Sequence, residues 1–172
     1  MCDFQIEVTE LGWINGPEDD PQDLCCHGKV TAQIGSETIQ DDGTVSATAL
    51  YLLRSLTEDH QWKEGLDNQM IPCCGHFLIA NEDLTQVTVL GCPNGTDWKV
   101  EHVPNGVNLI TESGNVTFVP IEEYREEVYR FADKVEAFYR QCTPKLLPSD
   151  IFARNGYAAF WNEWHHRRYG QM

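Results

Sequence analysis

Residues 87–119 read VTVLGCPNGTDWKVEHVPNGVNLITESGNVTFV, and this stretch decides the fold. Short strand-like runs, Val87 to Leu90, Trp98 to Val103, Val107 to Ile110 and Val116 to Val119, are separated by Asn94-Gly95, Asn105-Gly106 and Ser113-Gly114. Asn-Gly takes positive φ at both central positions of a tight hairpin turn at little steric cost, so such dipeptides predict antiparallel reversals. With Phe77 to Ile79 upstream, the chain from Met70 to Val119 reads as a meander. The strands are clustered rather than interleaved with helices, and no Gly-rich phosphate loop is present. Both facts argue against a doubly wound nucleotide fold.

The meander runs into the clearest helix of the chain. From Pro120 the apolar residues Ile121, Tyr124, Val128, Phe131, Val135, Phe138 and Cys142 recur at steps of three and four, one stripe down a helix over 120–142. Glu122 and Glu123 near its start suit the helix dipole, and Pro144 ends it. Aromatic residues along the seam suit a helix laid on a sheet better than a coiled coil. After the Pro144 to Pro148 linker, Tyr157, Phe160, Trp161 and Trp164 form the apolar stripe of a C-terminal helix.

Upstream, Phe4, Ile6 and Val8, and then Val30, Ala32 and Ile34, alternate with polar neighbours as in half-buried strands, and Asp41-Asp42-Gly43 reads as a turn. Val45, Ala49, Leu52, Leu53 and Leu56 lie on one face of an inserted helix near 46–60, with Ser46 as its cap. Glu58-Asp59-His60 reads as a solvated turn. The fold class that follows is α+β: a mainly antiparallel meander covered by a long helix, with one inserted helix and a C-terminal helix. A chain of 172 residues suits one such domain, 1–172.

Charge narrows the function. Lys plus Arg number 12 and Asp plus Glu 27, a net charge of −15, which disfavours nucleic-acid and anionic-membrane partners. The imbalance is one-sided: residues 1–120 hold 19 acids and 4 bases, whereas residues 121–172 hold 8 of each. Around two prolines cluster Glu18, Asp19, Asp20 and Asp23, a solvated loop or a docking face for a cationic partner. The aromatic and basic residues from Trp161 to Arg168 could stack bases and hold phosphates, but one helical face of aromatics is better explained as packing.

Seven cysteines, an odd number that includes the vicinal pairs Cys25-Cys26 and Cys73-Cys74, fit a reducing compartment better than a disulfide scaffold. The start of the chain lacks the basic and apolar runs of a secretory signal, so the expected location is cytoplasmic. Side chains alternate faces along a strand, so Cys25 with His27 and Cys74 with His76 each share a side. If those strands were neighbours, the four would make a tetrahedral zinc site of closed, structural type. The usual C-x-x-C spacing is missing. A thiol nucleophile drawn from Cys26, Cys73, Cys74 or Cys92, with His27, His76 or His102 as base, is the catalytic alternative.

No G-x-S-x-G elbow or H-E-x-x-H pair occurs. The expectation is therefore a non-catalytic, cofactor-free binding protein for a basic partner, for example an antidote or immunity-type protein shielding a basic toxin. A small Cys/His-dependent enzyme or zinc-binding protein is the alternative.

Overall fold

The computed structural model describes residues 3–62, 68–75 and 77–170, and the chain is α+β. Strands β1 (Phe4–Gly12), β2 (His27–Ile34) and β3 (Glu37–Thr44) form an antiparallel sheet in that order. Phe4, Ile6 and Val8 on β1 and Val30, Ala32 and Ile34 on β2 are all buried, as their alternation predicts. The reversal between β2 and β3 falls at Gly35, whose φ of 57° favours glycine. Asp41-Asp42-Gly43, read above as a turn, instead lies inside β3, with Gly43 paired to Gly28. Glycine is needed there for another reason: a Cβ on Gly43 would stand 2.5 Å from the Pro72 carbonyl oxygen.

Helix α1 (Val45–Arg54) leaves β3 directly and is shorter than its apolar pattern suggests. Its first N–H groups are not served by Ser46, which lies buried inside the helix. The Cys26 carbonyl accepts from Val45 N at 2.9 Å and from Ser46 N at 3.4 Å, so distant backbone does the capping. The chain then leaves the helix and enters an isolated bridge between His60 and Val100.

The expected meander is divided into two sheets. Strands β4 (Phe77–Ala80) and β5 (Val87–Leu90) form a hairpin, while β6 (Lys99–Val103), β7 (Gly106–Ile110) and β8 (Val116–Pro120) form a separate three-stranded sheet. Asn105, with φ of 67°, and Gly114, with φ of 87°, make the two predicted turns. Asn94-Gly95 does not, because β5 and β6 belong to different sheets; Thr96 pairs with Ile71 instead.

Helix α2 (Ile121–Gln141) buries Tyr124, Val128, Phe131, Ala132 and Val135 against α1, β1, β7 and β8, so it spans two sheets rather than covering one. Its charged residues also close the open edge of β1. Glu127 accepts from Ile6 N at 3.2 Å, Arg130 donates to the Ile6 carbonyl at 3.1 Å, and Lys134 donates to the Val8 carbonyl at 2.6 Å. An edge satisfied in this way offers no template to another strand. Helix α3 (Ile151–Tyr169) starts at Asp150, whose carboxylate accepts from Ala153 N at 2.8 Å. It packs on β4, where Gly156 lets the Leu78 carbonyl approach closely.

Candidate functional site

The acidic loop is organised from within. Asp23 accepts from Ile14 N at 2.7 Å and Cys25 N at 3.1 Å, and Asp20 accepts from Gln22 N at 3.0 Å. Asp19 accepts from Thr143 N at 2.7 Å, and its side-chain and backbone bonds to Thr143 hold the carboxyl below its ordinary range. Lys145 reaches in from the α2–α3 linker, donates to the Asp20 carbonyl at 2.7 Å and sits 3.0 Å from the centre of the Trp13 ring. Leu146 N donates to the Pro21 carbonyl at 2.9 Å. The Asp19 carboxylate and the Asp20 carbonyl thus hold the loop to the linker, the Asp20 and Asp23 carboxylates brace it from within, and Glu18 stands exposed.

Beside this junction the linker and the start of α3 expose Leu146, Leu147, Ile151 and Phe152, at 47–65% of their surface. Phe77 at the start of β4 joins them, its ring 5.9 Å from that of Phe152. Ile14, at the other end of the loop, is 63% exposed. Large apolar side chains grouped this way are uncommon on a surface that meets only water.

The bases are spent inside the molecule. Among the described residues Arg54, Arg125, Arg130, Arg140, Arg167, Arg168 and Lys29 meet carboxylates. Lys134, Lys145 and Arg154 bond backbone carbonyls, and Lys99 lies over the Trp62 ring. The arginines of the C-terminal segment follow suit: Arg167 joins Glu163 and Glu58, and Arg168 joins Asp133. No cation of that segment is left over for a phosphate.

The Cys/His segments expected to bind zinc do not lie on paired strands among the described residues. Strand β2 lies between β1 and β3, and β4 pairs only with β5, so the two Cys/His segments are not sheet neighbours. The Pro72 carbonyl accepts from Thr44 N at 2.8 Å, which draws residues 72–75 across the end of β3. Gly75 then faces inward, its carbonyl 3.6 Å from Cys25 Sγ, while the Cys74 sulfur accepts from Cys92 N at 3.0 Å. Cys25, His27 and Cys74 are not gathered into a group that could hold an ion, nor is any other set of three among the described residues. His76 lies outside the described residues. Burial, with Asp23 adding to it, pushes the Cys25 thiol up to about 12, and burial does the same to Cys26, so neither is a nucleophile at neutral pH.

A different thiol group is assembled instead. The Ile71–Thr96 bridge and the Phe77–Leu90 pair flank this thiol-bearing stretch, where Cys92 N lies on the Cys74 sulfur. Between those two pairs the described residues form no ladder, and Cys73, Cys74 and Cys92 lie in that gap. The Asn94 backbone N–H and the Cys73 and Cys74 thiols donate to Cys92 and hold its thiol below the ordinary value. Conversely, Cys73 is pushed up to about 11, first by its bond to Cys92 and then by burial. Cys73 is exposed and lines a hollow of about 340 Å³ with His27, Lys29 and Asp42.

A cavity of about 460 Å³ is polar. Tyr51 and Arg54 from α1, His60, Val87 and Val89 from the β4–β5 side, and Glu163 and Arg167 from α3 line it. Glu163 takes Arg54 Nε at 2.7 Å and Nη2 at 2.8 Å, Arg167 Nε at 2.8 Å and Val87 N at 2.9 Å. The turn Glu58-Asp59-His60, expected to be solvated, is divided among three partners: Arg167 at 2.6 Å, His102 at 2.8 Å and Asp97 at 2.7 Å. His60 is buried, and Asp97 also accepts from Met70 N and Trp98 N, both at 3.0 Å. An orienting carboxylate on a histidine is a general-base arrangement, but each partner of this His–Asp pair comes from a different surface loop that it ties down. Nothing in the sequence signals these pairings, because they join residues 37 to 109 positions apart.

No helix among the described residues is long and apolar enough to cross a membrane. Comparison of the chain with protein-family models, with curated proteins and with solved structures finds no match.

Proposed function

We propose that the protein is a non-catalytic, cofactor-free cytoplasmic binding protein whose partner is a basic protein with an apolar anchor. The carrying observation is the exposure of Leu146, Leu147, Ile151 and Phe152 along the linker and the start of α3, with Phe77 of β4 against Phe152 and the acidic loop bonded to that same linker. Apolar contact supplies affinity at such a surface, while the surrounding negative field speeds encounter and selects a cationic partner. The field is strong because every described base already has a partner inside the chain, which leaves surface carboxylates uncompensated. An antidote that shields a basic toxin would use a surface of this kind. Of the thiols in the Cys/His-enzyme alternative, burial raises Cys26, which leaves Cys92 as the candidate nucleophile of that reading.

The test uses an amphipathic lysine–leucine peptide as probe, with a lysine-only peptide for comparison, titrated calorimetrically at two salt concentrations. Glu18 bonds nothing that holds the fold, so Glu18→Gln should weaken binding at low salt, while Leu147→Ser with Phe152→Ser should weaken the leucine-bearing probe about tenfold or more. Glu82→Gln with Asp83→Asn, on the β4–β5 turn, serves as the control and should change little. Equal effects from control and patch would mean diffuse attraction and would overturn the proposal.

A further inference from the structure

We propose that Cys92, Cys73 and Cys74 form a thiol–disulfide exchange site for low-molecular-weight disulfides, with Cys92 the attacking sulfur and Cys73 the resolving one. The site arises from the break in the ladder between Ile71–Thr96 and Phe77–Leu90. The two flanking pairs hold the chains in lateral reach although no ladder forms between them among the described residues. Cys74 is tied to the facing chain by the 3.0 Å bond from Cys92 N. Gly95 maintains the close approach below, where a Cβ would stand 2.5 Å from the Ile71 carbonyl. Three thiols are thereby held at one point of the surface, with Cys73 exposed and Cys74 and Cys92 half-buried.

The roles follow from the donors. A thiolate attacks and a thiol does not, and the thiolate is favoured where N–H and S–H groups converge on one sulfur. Those donors converge on Cys92. Cys73 gives its S–H to Cys92 and faces the open hollow beside His27 and Lys29, which leaves room for a departing small thiol. A bond between the adjacent Cys73 and Cys74 would close a strained ring, so Cys92 is a member of the disulfide that forms.

The step balances without an enzyme cofactor. Cys92 thiolate attacks one sulfur of the small disulfide, forming a mixed disulfide and expelling one small thiolate. Cys73 then gives up its proton and attacks the Cys92 sulfur. A Cys73–Cys92 bond forms and the second small thiolate leaves, so two protein thiols are oxidised and the small disulfide is reduced to two thiols.

Glutathione disulfide is the probe, added in excess to the fully reduced, full-length protein without oxygen, with intact mass and peptide mapping as readouts. The expected product has lost two hydrogen atoms, carries a Cys73–Cys92 link and has released two glutathione molecules. Cys73→Ser should stop at a glutathione adduct on Cys92, and Cys74→Ser should close as the unaltered chain does. Cys92→Ser, checked for a normal thermal melt, should react at least about tenfold more slowly. Unaltered protein gives a second measurement that no folding defect can disturb: a brief pulse of iodoacetamide should label Cys92 about tenfold or more ahead of Cys142. Equal labelling of the two, absence of the link, or Cys73→Ser closing through Cys74 at the unaltered rate would each overturn the assignment.

Discussion

Glu163→Gln is the sharpest probe of how the helices are held to the β4–β5 hairpin. The carboxylate is only 3% exposed, and the guanidinium groups of Arg54 and Arg167 against it are 20% and 10% exposed. Neutralising it leaves two cations short of their shared counter-charge in a poorly solvated place, and breaking a buried pair in this way costs about 3–5 kcal/mol. Two effects reduce the loss. The amide oxygen still accepts from Val87 N, and the neighbouring cavity of about 460 Å³ admits water to Arg54. The lower end, about 3 kcal/mol, is therefore expected, a fall in Tm of roughly 6–12 °C for a chain of this size.

Burial pushes the Glu163 carboxyl up, but the bonds and charge of Arg54, the Val87 N–H and Arg167 outweigh it and hold it below its ordinary value. A depressed carboxyl pKa contributes stability that is fully present above the unfolded-state value of about 4.3 and is lost as pH falls through the lower folded value. Urea unfolding of both proteins should show a constant gap from about pH 7 to pH 5 that closes below about pH 4. A gap under about 1 kcal/mol at pH 7 would refute the reasoning, since it would mean that cavity water already solvates the arginines. Replacing Glu163, Arg54 and Arg167 together by Met should recover more than half of the loss.

Gly156→Ala should destabilise although alanine is the better helix former, because its Cβ would lie 2.1 Å from the Leu78 carbonyl oxygen. The gain of about 1 kcal/mol in propensity is outweighed by overpacking of about 2–3 kcal/mol, so a stabilised variant in urea unfolding would contradict this contact. Tyr139→Phe removes a hydroxyl that donates to the Leu24 carbonyl at 2.8 Å and accepts from Cys26 N at 3.0 Å. Calorimetric melting should report a loss of about 1–3 kcal/mol, the cost of leaving buried backbone groups bare. Asp97→Ala strips an acceptor from His60, Met70 N and Trp98 N and should cost a similar amount. Hydrogen exchange at Met70 and Trp98 should then accelerate; unchanged rates would show that those amides do not depend on the carboxylate.

Much of the fold was legible because its signals are local. The stripe from Tyr124 to Val135 and the alternation in β1 and β2 describe faces that must be buried, whatever buries them. Asn105 and Gly114 marked their turns by the backbone geometry they tolerate. The misreadings have one cause. Asp41-Asp42-Gly43 looks like a turn by composition, yet Gly43 serves a close approach of Pro72 from another part of the chain. Asn94-Gly95 looks like a hairpin, but Thr96 takes Ile71 as its partner. Ser46 looks like a cap, but the Cys26 carbonyl reaches the helix end first.

The site divides along the same line. Amino-acid order alone determined the charge surplus, the acidic loop, the thiol-rich segments and the strand and helix faces, since each depends on composition or on spacing within a few residues. Tertiary structure decided which cysteines are inert and which converge, that Asp19 of the acidic loop bonds the α2–α3 linker, and that Glu58 and His60 find Arg167 and Asp97. Those outcomes rest on contacts between distant residues. A side chain's chemistry is set by the burial and the partners it meets there, and neither is written in its neighbours along the chain.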